Sequence, residues 1–429
     1  MMVVHSNVVC PFCGCLCDDL EITIEGGKIM GTRGTCAISR SKFMSHEENR
    51  IKAPSIDGQE TRLEAAVETS ARILAGAKRP LIYGLSSTEC DAIAGCVELA
   101  ELCGGVVDNT SSVCHGPTIL ALQQVGESKT TLGEVKNRAD FVCFWGANPS
   151  ASHLRHLIRY SGMPKGMYTQ EGRKSRYLVA VDIRETPMAR IADQFVKIEQ
   201  GGDFELLLAL RAAVKGFEIK EDISGVSAGD INTLAKRMKE AKMGIVFFGL
   251  GLTQSDGRHM NIDAAVGLVA ELNHHTKFLL TPMRGHYNVA GANTVTTWQT
   301  GYPYAVDFAR GYPRYNPGEY TAVDLCARGE VDAAVIVASD PGATFPVDAA
   351  RQLARIPTIT LDQKVSPTTM ISKVVIPVAT AGIEAEGTAY RMDGIPLRLS
   401  KLVEPHDGVV SDKEVLDMII ERVRKLKEG

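Results

Sequence analysis

Three cysteines crowded onto one turn, with a fourth following at a distance, restrict this chain more than any other feature: Cys10-x2-Cys13-x3-Cys17, closed by Cys36. The stretch Val9-Cys10-Pro11-Phe12-Cys13-Gly14-Cys15-Leu16-Cys17 can turn three sulfurs to one centre. A later loop then supplies the fourth, the ligand set that a [4Fe-4S] cube takes. Four thiolates also bind zinc. Structural zinc sites usually pair two knuckles of similar spacing, however, and here the second half is the single Cys36, so iron–sulfur is the favoured reading. Cys15 is expected to be a bystander in the loop. Disulfides fit poorly, because the cysteines number eleven and the opening Met1-Met2-Val3-Val4-His5 carries no secretory signal. A reducing, cytoplasmic setting is expected.

The other residues have a globular composition: of 429, 45% are hydrophobic and 23% charged, enough for a large core and two or three domains. A net charge of -4, with no basic block interleaved with aromatics, argues against nucleic acid as a partner. Apolar runs such as Val374-Val375-Ile376-Pro377-Val378-Ala379 are strand-length, well short of the roughly 20 residues of a membrane-spanning helix, so no membrane span is expected. After the cysteines, residues 20–29 alternate with period two and turn at Gly26-Gly27, so residues 1–54 are expected to form a small β domain around the metal. From Leu63 onward, helical patterns alternate with short apolar strands at 80–84, 140–146, 177–182, 244–249 and 333–337, and the stretches 204–214 and 262–272 carry helical spacing. Such alternation builds parallel α/β sheets.

An internal echo adds to this. Strand Val179-Ala180-Val181-Asp182 runs into Thr186-Pro187, and Ile359-Thr360-Leu361-Asp362 runs into Ser366-Pro367, at a constant offset of 180. Likewise Gly146-Ala147-Asn148-Pro149 resembles Ser339-Asp340-Pro341-Gly342, each after a strand. Two α/β lobes of one plan would offer two nucleotide sites at the carboxyl ends of their strands; the plainer alternative is that these are generic strand ends. Gly249-Leu250-Gly251-Leu252-Thr253-Gln254 follows a strand but lacks the third glycine of a dinucleotide fingerprint. No Walker loop, His-Glu-x-x-His or Gly-x-Ser-x-Gly motif is present, so hydrolase and kinase readings have no anchor. His153, His156, His274 and His275 have no carboxylates at ligand spacing and are expected to be surface or capping residues.

Two polar turns carry reactive groups. In Val107-Asp108-Asn109-Thr110-Ser111-Ser112-Val113-Cys114-His115-Gly116-Pro117 a thiol stands beside an imidazole among Ser, Asn and Gly, which fits a thiolate ligand or nucleophile better than a core cysteine. In Met283-Arg284-Gly285 an arginine follows a strand, where it can clamp a carboxylate through two parallel bonds or grip a cofactor phosphate.

Taken in order, these motifs resemble the catalytic subunits of molybdenum or tungsten bis-pterin enzymes, the formate dehydrogenase superfamily, over nearly the whole chain. The carriers are the four cysteines, Cys114-His115-Gly116-Pro117, Gly146-Ala147-Asn148-Pro149, Val181-Asp182-Ile183-Arg184, Gln200-Gly201-Gly202-Asp203, the 249–254 loop, Met283-Arg284-Gly285 and Glu384-Ala385-Glu386-Gly387-Thr388. The resemblance implies a [4Fe-4S] domain at 1–54 and a discontinuous first lobe at 55–108 and 285–400. It implies a second lobe at 109–284 and a C-terminal tail at 401–429, the domain plan of formate dehydrogenase and DMSO reductase. It implies that Cys114 ligates tungsten or molybdenum, that His115 and Arg284 serve the substrate, and that the lobes bind two molybdopterin guanine dinucleotides. Gly146, Asn148, Asp182, Arg184, Gly201, Gly202, Asp203, Gly249, Gly251, Gln254, Asp340 and Asp362 are the cofactor contacts implied. The reaction implied is two-electron reduction of carbon dioxide to formate, with His115 moving the proton at a pKa of about 6.5.

The chain ends about forty residues after Glu386-Gly387, where formate dehydrogenases continue into a β-barrel that covers the pterins. The barrel is therefore expected on a separate subunit, a split that resembles the B-subunit family of formylmethanofuran dehydrogenase, as does the Cys-Pro-Phe-Cys-Gly-Cys-Leu-Cys opening. That family implies ferredoxin-type iron–sulfur partners and an amidohydrolase-like subunit that condenses formate with methanofuran. A formate dehydrogenase with its barrel on another chain is the first alternative, and a complex I-like iron–sulfur scaffold without pterins the second. After Cys36, Ala37-Ile38 replaces the lysine that formate dehydrogenases place between cluster and pterin, leaving Arg40 or Lys42 to substitute.

Overall fold

The computed structural model describes residues 2–428. They form two compact units, one made of the residues up to Val113 together with those from His286 onward, the other of Cys114–Gly285.

The second unit is built on a five-stranded, wholly parallel sheet in the order Gln194–Lys197, Tyr177–Asp182, Phe141–Trp145, Met243–Phe248, Lys277–Pro282. Every residue of Phe141–Trp145 and Met243–Phe248 is buried, which is why these strands read as unbroken apolar runs. Helices Asp203–Val214, Ala228–Glu240 and His259–Leu272 supply the remaining core through Leu206, Leu210, Leu234, Leu268 and Leu272. Chain order reverses between Phe141–Trp145 and Met243–Phe248, so their carboxyl ends diverge around the switch point where such sheets bind ligands.

The first unit repeats the plan. Its nine-stranded sheet contains the parallel series Val374–Pro377, Thr358–Asp362, Ala333–Val337, Pro80–Gly84, Val106–Asn109, flanked by two-residue strands at both edges. Three strands in one direction and two in the other give the same order as in the second unit, here with the two-strand half first in the sequence. The switch falls between Ala333–Val337 and Pro80–Gly84. There Gly84 has φ +118° and its absent β-carbon would lie 2.2 Å from the Val337 carbonyl oxygen, so no other residue fits.

The cysteine segment belongs to this unit. Strands Leu20–Glu25 and Lys28–Arg33 form the expected hairpin, and Met2–Val8 adds a third antiparallel strand. Arg50 anchors the segment to the lobe: it donates to Glu384 and Thr380, both at 2.8 Å, in a buried ion pair. The expected tail at 401–429 needs correction. Helix Asp412–Glu428 packs on helices Leu63–Gly76 and Cys90–Cys103, and Val415, Leu416, Ile419, Ile420 and Val423 are core residues. Their spacing of three and four is a buried helical stripe. Replacing Ile419, fully buried, with Ala should therefore cost about 2–5 kcal/mol in thermal unfolding, whereas the half-exposed neighbour Met418→Ala should stay within about 0.5 kcal/mol. Equal effects would return this helix to the status of a tail.

Candidate functional site

In the second unit the reactive residues come from three points in the sequence. Cys114 and His115 precede helix Gly116–Val125, which Pro117 opens in the first turn, where its missing N–H costs nothing. The Cys114 carbonyl accepts from the Thr253 hydroxyl at 3.2 Å and the Gln254 amide at 3.0 Å, so the 249–254 loop fixes the backbone that carries the thiol. Burial pushes that thiol up to about 11, against the charge of Arg284. His115 is buried, with Nδ1 3.2 Å from the Thr118 hydroxyl and Nε2 without a hydrogen-bond partner. Burial, with the neighbouring Arg284 charge adding to it, lowers its pKa to about 3. The expected near-neutral value is thus wrong for this state: His115 is a neutral imidazole.

Arg284 stands two residues past strand Lys277–Pro282 and is also buried, its Nε without a hydrogen-bond partner. Glu127 is the carboxylate whose charge reaches it, and Glu127 Oε1 is likewise buried and unpartnered. Three unsatisfied polar atoms, His115 Nε2, Arg284 Nε and Glu127 Oε1, thus belong to groups that act on one another electrostatically. Buried polar atoms without partners are rare, and a set of them on interacting groups is what a polar ligand would satisfy.

The glycines expected at the cofactor have a backbone role. Gly146 has φ +54°, and a β-carbon on it would meet the Leu252 amide nitrogen at 2.7 Å; one on Gly251 would meet the Gly146 α-carbon at 2.6 Å. Gly249 is packed in the same way on the Gly146 carbonyl. Asp203 accepts from Trp145 Nε1 at 2.7 Å, which ties the Gly201-Gly202-Asp203 turn to the same strand end. Asn148 keeps a buried, unpartnered Oδ1 beside them. At the next strand end, Asp182 accepts from the Arg184 amide at 3.3 Å, and Arg184 is exposed. In the first unit, Asp340 accepts from the Thr368 amide and hydroxyl at 3.0 and 2.6 Å. Burial raises Asp362 to about 6, with the Asp340 charge adding to the rise.

The four cysteines lie together in the first unit. The Cys10 amide donates to the Cys17 carbonyl at 2.9 Å. Ser39 links two of the sulfurs, its hydroxyl accepting from Cys10 Sγ at 3.2 Å and its amide donating to Cys36 Sγ at 3.4 Å, so Cys36 caps helix Ala37–Met44. Cys15, the expected bystander, is fully buried, and its hydrogen bond is the main reason Cys13 falls to about 7. Lys42 also favours the Cys13 thiolate and lies 5.4 Å from the centre of the Phe12 ring, so of the two cations considered it stands at the cysteine loop. Among the described residues no group of three or more Cys, His, Asp or Glu side chains is placed to hold a metal ion.

No family model matches this sequence. It is 51% identical over 434 residues to the B subunit of the tungsten-containing formylmethanofuran dehydrogenase 2 of Methanocaldococcus jannaschii, covering 99% of this chain and 100% of that one. The Methanococcus maripaludis protein of the same name is 48% identical over 435 residues, with the same coverage. The chain belongs to the formylmethanofuran dehydrogenase B-subunit family. Such a subunit is an oxidoreductase component. A chain in the crystal structure of the formyltransferase/hydrolase complex of Methylorubrum extorquens shares the fold, with a TM-score of 0.72 at 24% identity over 88% of this chain and 100% of that one.

Two histidines that sequence reasoning set aside are core residues of the second unit, and one of them bonds the Arg284 backbone. His153 and His156 are buried, not on the surface, and His153 Nε2 donates to the Arg284 carbonyl at 2.9 Å. His274 and His275 are exposed, as expected. Among the described residues, no helix is long and apolar enough to cross a membrane. Cys36→Ser keeps the helix cap, since serine is a strong N-cap, and should leave both α/β lobes folded. It should lower the iron of the purified assembly by about four per chain. Zinc at this position in the wild type would contradict the iron–sulfur reading.

Proposed function

We propose that this chain is the subunit of a formylmethanofuran dehydrogenase that reduces carbon dioxide to formate, CO2 + 2e− + H+ → HCOO−, at a tungsten or molybdenum centre. The observation that carries the proposal is the set of half-buried Cys114 with buried His115 and Arg284, the last two with unsatisfied polar atoms, in a chain half identical to the B subunits of tungsten-containing formylmethanofuran dehydrogenases. When bound, the metal and two molybdopterin guanine dinucleotides would supply the two-electron chemistry.

The residues present fit that cofactor. A soft metal takes a soft ligand, and Cys114 is a thiol whose backbone is clamped from the 249–254 loop. Its raised pKa means that metal binding must drive off the proton. Asn148, Asp182 and Arg184 would meet one dinucleotide from the second unit, with spare polar capacity at Asn148 Oδ1 and an exposed guanidinium. Asp340 and Asp362 would meet the other from the first unit. The glycines Gly146, Gly249 and Gly251 would act indirectly, by letting two strand ends close on each other beneath the ligand. Gly201, Gly202 and Asp203 would set the turn beside them.

Arg284 would orient the carboxylate by two parallel hydrogen bonds, its burial strengthening each bond by excluding water. His115, neutral, would enter as a hydrogen-bonding group with Nε2 as the available atom. Electrons would come through a [4Fe-4S] cube on Cys10, Cys13, Cys17 and Cys36, with Lys42 as the nearby cation. The relatives are named as subunits of larger enzymes, and the partners proposed are a pterin-covering β-barrel subunit, ferredoxin-type subunits and an amidohydrolase-like subunit that passes formate to methanofuran.

Arg284→Lys keeps the charge and loses the planar fork. If Arg284 clamps the carboxylate, the rate per bound metal should fall at least about tenfold, since a charge-assisted bond contributes roughly 1.5–3 kcal/mol and each tenfold is about 1.4 kcal/mol. A wild-type rate per metal, with any loss tracking lost cofactor, would move Arg284 to the pterin phosphates.

A further inference from the structure

Arg284 lies just beyond its sheet. The Met283 amide still donates to the Phe248 carbonyl at 2.8 Å, continuing the ladder, and Arg284 is the next residue. Its carbonyl oxygen is taken by His153 Nε2 at 2.9 Å, from a residue 131 positions earlier and 2% exposed.

The protonation state of that imidazole follows from its partners. A carbonyl only accepts, so Nε2 carries a hydrogen. Burial lowers the pKa of the ring and so favours the neutral form; Nδ1 lies 2.8 Å from the Ser152 hydroxyl, which is also 3.1 Å from the Asn148 carbonyl. The supporting segment is irregular in a manner that holds the ring still: the His153 amide closes the short helix Pro149–Ser152 on the Pro149 carbonyl at 2.9 Å. A π-helical turn, Leu157–Ser161, follows. Such turns are frequent at functional sites. His156, between them, is fully buried with its ring 4.6 Å from Phe247, edge to face, and Nδ1 2.9 Å from the Ser161 hydroxyl. His156 packs; His153 reaches Arg284.

We propose that His153 is a positioning residue for Arg284: by donating to its main-chain carbonyl it fixes the point from which the guanidinium fork reaches the bound carboxylate. This rests on the proposed reading of Arg284 as the carboxylate clamp. A two-pronged bond depends on angle as well as distance, so displacement of the backbone by about 1 Å weakens both prongs together. Glu127 is the carboxylate whose charge acts on Arg284, and its Oε1 is unpartnered, so the positioning argued here comes through the backbone.

The test separates a hydrogen-bond donor from a space-filling ring. In the intact complex, His153→Gln places an amide N–H near the position of Nε2. His153→Leu fills the space without a donor, and His153→Asn is polar but too short. Formate oxidation with an artificial electron acceptor, per bound metal, should show the KM for formate raised about tenfold or more in the Leu and Asn variants and within about threefold of wild type in Gln. Titration of formate into the reduced complex should give the same ranking of Kd, a readout that needs no turnover. An unchanged KM and Kd in Leu, or a Gln variant no better than Asn, would overturn the proposal. Should the Leu variant fail to assemble, the Gln and Asn pair decides by the same contrast. A wild-type rate per metal in Arg284→Lys would instead remove the reading of Arg284, whatever the His153 variants do.

Discussion

In the second unit two backbones lie against each other so closely that no β-carbon fits between them. Gly146 and Gly251 each face the other's main chain at less than 3 Å from where a β-carbon would be, and Gly249 packs on the same carbonyl. The Gly251 amide donates to the Gly146 carbonyl at 3.0 Å, so the contact is a bond as well as a close approach. It welds the ends of strands Phe141–Trp145 and Met243–Phe248 at the point where chain order reverses. Three residues beyond Gly251, Gln254 reaches the Cys114 carbonyl; one residue before Gly146, Trp145 ties to Asp203. The thiol, the turn at Gly201-Gly202 and the polar Asn148 are all placed relative to that single contact.

Around it the unit keeps charge and polar capacity in places where folding alone would not. A buried arginine, a buried neutral histidine and a partly exposed glutamate with a buried oxygen interact without satisfying one another. Hydrophobic replacements would pack without the desolvation penalty, so such a set is retained at the expense of stability. The first unit shows the contrast. Its buried pair Arg50–Glu384 has bonds to Thr380 and to the Val378 carbonyl as well, and it fastens the cysteine segment. Both arginines keep a buried Nε without a partner, and what marks Arg50 as structural is the set of bonds its Nη1 and Nη2 make to Thr380, Val378 and Glu384.

Much of this was legible before the fold was known. Continuous apolar strands between helical patterns gave parallel sheets, and the 180-residue echo is the same five-strand order used twice. The cysteine spacing and the Cys114-His115 pair stood out because each is local in sequence. What escaped depended on distance. His153 has no sequence signal, because its partner is a main-chain carbonyl 131 residues away and a carbonyl has no residue type. The depressed pKa of His115 comes from burial and from Arg284, neither visible in a polar turn. The last helix looked like a tail because it follows the final motif, although its apolar stripe at 415, 416, 419, 420 and 423 could have corrected that. The glycines expected at the cofactor also let strand ends approach closely, a second role that the residue type serves equally well and that sequence alone does not separate from the first.

The central claim is that Cys114 binds the redox metal, and metal-edge X-ray absorption on the purified complex tests it most directly. Wild type should contain tungsten or molybdenum with a sulfur shell, and Cys114→Ser should keep the metal while that shell loses one sulfur neighbour and gains a lighter one. An unchanged sulfur count in Cys114→Ser, or a wild-type complex with neither metal, would contradict the account.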